Sequence, residues 1–144
     1  MSCPSAQKKD IHSLEEVLFA FRRKFVEVMR QEAASLRCPL SQIDALSFIA
    51  EKGNPSMKDI ALHLKITPPS VTVLIESMQK KKLITRTGNA ADRRTIRVAL
   101  TPIALKLLKS FHERKFALLT KMFSKLRATE RKQLIKILTI VTKE

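Results

Sequence analysis

The sequence predicts a mainly α-helical fold with a small β element, an α+β winged helix. It combines a helix-turn-helix, a two-stranded β-wing and long helices at both ends. Three observations predict it. Between Ser56 and Lys82, two short amphipathic patterns meet across a tight turn. Two short β-branched runs follow directly. Apolar residues spaced by three and four run through both ends of a chain that has only 2 Gly in 144 residues.

Residues 1–9 are polar and carry no apolar run, so a flexible N-terminus is expected, without a signal peptide. Residues 10–37 read as one long helix. Ile11, Leu14, Leu18, Phe21, Phe25 and Val28 form a narrow seam, widened by Val17 and Met29. A helix this long is stabilised mainly by burying that stripe against something else. Pro39 should end it, because proline disfavours helix at the preceding Cys38.

Ser41 is placed to cap the next helix, to about residue 52, with Leu40, Ile43, Leu46, Ile49 and Ala50 inward. Gly53, Asn54 and Pro55 make a turn. Ser56 caps the following short helix and Asp59 offers the capping-box partner. Met57, Ile60, Ala61 and Leu64 are its apolar face, and Ile66 lies in the next turn.

Residues 67–82, TPPSVTVLIESMQKKK, are the stretch around which the module is organised. Thr67 is the expected N-cap and Pro68 fits the first helical position, where no amide hydrogen is needed. Val71, Leu74, Ile75 and Met78 recur as a core-facing stripe. The opposite face carries Pro69, Ser70, Thr72, Val73, Glu76, Ser77 and Lys80. A solvated helix face usually alternates Glu and Lys. A face of small hydroxyl residues can instead approach a crowded surface, such as base edges in a DNA groove.

Residues 83–86 and 95–100 then read as two strands, joined by a loop over residues 87–94. The hairpin tip is basic, with Arg86, Arg93 and Arg94 around Asp92. A guanidinium can enter a narrow minor groove, where negative potential is enhanced, and a neighbouring carboxylate can hold it in place. Thr101 and Pro102 repeat the cap-plus-proline start. The helix after them runs to about residue 126, with Leu105, Leu108, Phe111, Leu119, Met122 and Leu126 inward. A last helix, about residues 129–142, presents Leu134, Ile135, Leu138 and Val141.

The net charge of +15 is spread along the chain. Residues 1–40 hold 7 basic and 5 acidic groups, residues 41–101 hold 10 and 5, and residues 102–144 hold 11 and 3. A folded protein this basic is expected to meet a polyanion, with nucleic acid as the default partner. No window approaches 18 apolar residues, so no membrane span and a cytoplasmic location are expected. Cys3 and Cys38 make no disulfide framework. The three histidines, His12, His63 and His112, fall on different helices and join no nucleophile or metal-ligand pair. With glycine only at Gly53 and Gly88, no phosphate-cradling loop is available. The chain is therefore not expected to be an enzyme, nor to hold a metal or other cofactor. His63 is expected to face solvent.

The order of elements resembles the MarR family of bacterial winged-helix transcription regulators across residues 10–142. Residues 60–86, IALHLKITPPSVTVLIESMQKKKLITR, are similar to the family's helix-turn-helix and following strand. Asp92, Arg93 and Arg94 resemble its wing motif, and Leu100 and Thr101 resemble the pair that closes its hairpin. The resemblance implies a homodimer on double-stranded DNA at an inverted-repeat operator, usually a repressor released by a small-molecule effector or an oxidant. It divides the chain into a DNA-binding module at residues 40–101 and a helical dimerisation region at residues 10–39 and 102–144. Residues expected at the dimer interface are Ile11, Leu14, Leu18, Leu119, Met122, Leu134, Leu138 and Val141. Ser70, Thr72, Val73 and Ser77 are expected at the major groove and Arg94 at the minor groove, with Asp92 positioning the wing. The lining of an effector pocket is left open.

The chain departs from the family pattern at four places. Lys82 stands where a helix-ending glycine is usual, Val73 where an arginine is frequent, Ala104 for a glycine and Arg127 for a capping serine or threonine. Thr129 is a candidate replacement cap. Lys82 costs about 1 kcal/mol if the left-handed geometry is kept. A protein-interaction module that kept the wing but lost DNA is the alternative reading, motivated by Val73 and Lys82. Cys38 follows Arg37, which would favour a thiolate, but a structural cysteine is the simpler expectation.

Overall fold

The computed structural model describes residues 4–88, 92, 94 and 96–143. Six helices and one hairpin follow in order: α1 (Pro4–Ser35), α2 (Leu40–Lys52), α3 (Met57–Leu64), α4 (Pro68–Lys80), β1 (Ile84–Thr87), β2 (Arg97–Leu100), α5 (Pro102–Phe123) and α6 (Ala128–Thr142). α1 therefore begins six residues before the expected start at Asp10, and the tail expected to be flexible is helical from Pro4. Proline suits a first helical turn, where its missing amide hydrogen leaves nothing unpaired.

One hydrophobic cluster joins all the elements from the end of α1 to the middle of α5. Leu46, Ile49, Ile60, Ile75, Met78 and Val98 are each fully buried in it. Burying one such side chain contributes about 1.5–3 kcal/mol, so this cluster fixes the module. Ala33 and Met29 of α1 and Leu108 and Phe111 of α5 reach it from outside. Ala50 and Leu105, expected inward, are exposed. Each lies at the rim of its helix's apolar stripe, and none of the described residues covers it.

The caps show how the turns are set. Ser56 Oγ accepts the amide of Asp59 at 3.1 Å, and Asp59 Oδ2 accepts the amide of Ser56 at 3.0 Å, a complete capping box. Thr67 and Thr101 cap α4 and α5, each followed by proline. Ser41 does not cap α2. The N-cap is Pro39, whose carbonyl accepts from the amides of Gln42 and Ile43, and Ser41 already lies inside the helix. Thr129 likewise lies inside α6. There the N-cap Arg127 gives its amide to Glu130 Oε2 at 2.8 Å and its guanidinium to Glu130 Oε1 at 2.9 Å.

Three helices end on a left-handed residue that is not glycine: Arg37, Lys65 and Lys82, with φ of 55°, 55° and 59°. In each case the next amide reaches back over the turn: Cys38 to Ala33, Ile66 to Ala61 and Leu83 to Met78. These are Schellman closures, each followed by a side chain that packs on the core. The geometry expected of glycine at position 82 is thus kept by lysine. Thr101 Oγ1 donates to the Lys82 carbonyl at 2.6 Å and ties this strained turn to the start of α5.

β1 and β2 pair antiparallel, Ile84 opposite Leu100 and Thr87 opposite Arg97. β1 is shifted by one residue from the run expected at 83–86, and β2 starts later than the run expected at 95–100, where Thr95 lies outside the described residues. A bridge from Ser56 to Arg97, with the Val98 amide on the Pro55 carbonyl at 3.0 Å, fastens the hairpin to the start of α3.

Candidate nucleic-acid interface

α4 is held by one face only. Val71, Ile75 and Met78 are at most 1% exposed, while Val73 on the opposite side is 68% exposed. Pro69, Ser70, Glu76 and Lys80 are exposed beside Val73, and Thr72 and Ser77 are half-buried at its edges. All seven residues singled out on this helix thus sit on its outer side or rim. Three of the hydroxyls already have intramolecular partners. Ser70 Oγ lies 2.9 Å from Thr67 Oγ1, Thr72 Oγ1 donates to the Pro68 carbonyl at 3.2 Å, and Ser77 Oγ accepts from Gln42 Nε2 at 3.0 Å.

Arg86 is exposed on β1. At the tip, Asp92 Oδ1 accepts the backbone amide of Arg94 at 3.0 Å, so the carboxylate sets the local turn of the chain. Arg93 lies outside the described residues. Arg94 is exposed and lines a cleft of about 570 Å³ against α3 and α4, where Lys58 and Lys65 are the other cations. Arg94 of the hairpin and Lys58 and Lys65 of the helix-turn-helix thus border one cleft whose wall is otherwise mostly apolar. Lys58 and Lys65 were not singled out in the sequence. Their signal was only that they belong to the helix and turn preceding α4.

The same module accounts for other titratable groups. The Ser56 amide and hydroxyl hold the Asp59 carboxyl below its ordinary value of 3.8. Arg97 lies 3.8 Å from that carboxylate and adds to the effect. His63 is exposed, as expected, and one face of its ring stacks on Phe48 at 4.1 Å between ring centres, with Nε2 3.6 Å from Asp44 Oδ1. A flat ring over an aromatic face keeps its apolar body out of water. Cys38 is 1% exposed, and burial raises its thiol above the ordinary value of 9.0, only partly offset by the Lys81 charge. Arg37 does not activate it.

The residues expected at a dimer interface divide into two groups. Ile11, Leu14, Leu18, Leu138 and Val141 are 60%, 55%, 57%, 46% and 76% exposed. Leu119, Met122 and Leu134 are half-buried. Together they lie on α1, α5 and α6, outside the core cluster. A separate crevice of about 540 Å³ opens between α1, α2 and α5, with Phe25, Met29, Leu40, Ile43, Phe111 and His112 in its wall. Burial, and then Lys115, lower His112 below its ordinary 6.5.

Residues 39–95 match the model of the MarR family. The chain is 26% identical over 110 residues to YpoP, an HTH-type transcriptional regulator of Bacillus subtilis, spanning 76% of this chain and 74% of that one. It is 27% identical over 89 residues to the B. subtilis transcriptional repressor MdtR, spanning 62% of this chain and 55% of the repressor. In fold it is similar to B. subtilis YusO, with a TM-score of 0.77, 23% identity and 97% of both chains covered. It is also similar to a mutant of Staphylococcus aureus MepR bound to an oligodeoxyribonucleotide, with a TM-score of 0.68, 24% identity, and 89% and 94% of the chains covered. The outward α4, the hairpin tied to it and these likenesses agree: residues 39–95 match the MarR family, and the chain has the winged-helix fold of its structural neighbours.

Proposed function

We propose that this protein is a dimeric, sequence-specific DNA-binding transcription regulator, acting as a repressor that a small molecule releases. The observation that carries the reading is the outer side of α4. A helix buried through Val71, Ile75 and Met78 leaves Ser70, Val73, Glu76 and Lys80 uncovered in a chain of net charge +15. Such a helix enters a major groove, while the cations around it neutralise phosphates. Arg86, Arg94 and the neighbouring Arg93 then serve the minor groove beside it. The DNA-bound MepR mutant and the repressor MdtR, as similar chains, support this reading.

The exposed apolar faces of α1 and α6 support a second copy as the partner. Two-fold symmetry then puts half-sites about 10 bp apart, centre to centre. The crevice between α1, α2 and α5 is the favoured effector site, since its wall joins the dimerisation helices to the helix behind α4. Its apolar wall suits a small apolar or aromatic ligand. An oxidant is disfavoured by the buried, thiol-form Cys38. Cys38→Ser should leave the peroxide response of DNA binding unchanged, and loss of such a response would restore thiol sensing. A regulator of this kind works in the cytoplasm, and among the described residues no helix is long and apolar enough to cross a membrane.

A salt titration of duplex binding tests the proposal. Wild-type affinity should fall steeply and linearly with the logarithm of salt. Arg94→Ala should weaken binding to every duplex and reduce the slope by about one. An Arg94→Ala protein with the wild-type slope would remove the wing from the interface.

A further inference from the structure

Gln42 is the only buried polar side chain among the described residues, at 5% exposure. It occupies an apolar position of α2, preceding Ala45, Leu46 and Ile49 by three, four and seven residues. From there it touches both the rim and the end of α4. Lys81 Nζ donates to Gln42 Oε1 at 2.8 Å, and Gln42 Nε2 donates to Ser77 Oγ at 3.0 Å. Cys38 Sγ donates to the same Oε1 at 3.7 Å.

The direction of this chain is fixed by chemistry. An ammonium only donates, so the atom facing Lys81 is the amide oxygen and the atom facing Ser77 is the amide nitrogen. Ser77 Oγ therefore accepts from inside the protein. Its own hydrogen finds no acceptor among the described residues. Ser77 lies on the same side of α4 as Ser70 and Val73, along an open groove of about 460 Å³. The Lys81 charge polarises the amide, and the amide polarises the hydroxyl.

We infer that Gln42 is a positioning residue which commits Ser77 to donate outward, so that position 77 reads a hydrogen-bond acceptor on the duplex. This rests on the DNA-binding reading and deepens it. The acceptor is either a phosphate oxygen or an acceptor edge of a base, and the two are separable.

The test is Gln42→Glu, alone and with Ser77→Ala. The carboxylate keeps the size of the side chain and the partner of Lys81, but it only accepts. Ser77 must then turn its hydrogen inward. Binding is measured to the tightest duplex the wild type recovers from a random-sequence pool, and to a scrambled duplex of equal length. Gln42→Glu should lose about tenfold in affinity with the melting temperature held. In the Ser77→Ala background it should lose nothing further. Loss on the recovered duplex alone identifies a base acceptor, and equal loss on both identifies a phosphate. An unchanged affinity, or the same loss with and without the Ser77 hydroxyl, would overturn the inference. The hydrogen-bond direction is also read without DNA and without Gln42→Glu. By NMR, one side-chain amide proton of Gln42 should exchange slowly in the wild type and rapidly in Ser77→Ala. Rapid exchange of both protons in the wild type would overturn the inference even if no duplex bound.

Discussion

α4 and α6 are helices of 13 and 15 residues in the same chain, each with a stripe of aliphatic residues, and they end up in opposite situations. In α4, Ile75 and Met78 are completely buried and the polar side is free. In α6 no residue is buried, and Ile135, Leu138 and Val141 are 65%, 46% and 76% exposed. The stripe of α4 is completed within one protomer. That of α6 is left uncovered by the described residues. An apolar stripe therefore says that a helix will be covered, not by whom.

The largest effect that sharpens this contrast is in α4. Ile75→Ala should destabilise the protein by about 2–5 kcal/mol. Denaturant titration should show the full loss in both dilute and concentrated samples. A loss under about 1 kcal/mol would mean the module core tolerates a cavity there. The matching change in α6 is Leu138→Asp. It should abolish the proposed dimer in sedimentation and remove the dependence of melting temperature on protein concentration, leaving the α4 module folded. A variant that stays dimeric would take Leu138 out of the interface.

Next in size is the strained helix end. Lys82→Gly should stabilise the protein by about 1 kcal/mol, because glycine adopts the φ of 59° without a Cβ penalty. A destabilised variant would show that the lysine stem makes packing worth more than the strain.

The smallest effect is a pH dependence. Burial lowers His112 in the folded state, so below 6.5 the unfolded chain takes up the proton first. Stability should fall as pH drops from that value toward the lowered folded one, and His112→Gln should remove this step. Asp59 acts at more acid pH. Its folded value is depressed, so the capping-box contribution is present above 3.8 and is lost as pH falls through the lowered folded value.

Much of the fold could be read from local signals. Thr67 with Pro68, Ser56 with Asp59, and the stripe Val71, Ile75 and Met78 each act within a few residues, and each appears where expected. What eluded the sequence depended on partners far along the chain. Ser41 lost the cap to Pro39 because the preceding Schellman turn sets where α2 starts. His63 stays exposed, but its stacking on Phe48, on another helix, gave no local signal. Gln42 was not singled out from the sequence, although it is an amide within an apolar stripe. Its partners Ser77 and Lys81 lie 35 and 39 residues away and emerge only from the packing of α2 on α4. The outer residues of α4 were legible as a set because a free face is defined by what the core leaves behind.

The most direct measurement is duplex binding by Val73→Glu, set beside its melting curve. Val73 is 68% exposed, so folding should be unaffected. A carboxylate brought against phosphates should weaken binding by about tenfold or more at low salt. Full affinity with unchanged stability would contradict the account, because it would mean that the uncovered side of α4 does not face the duplex.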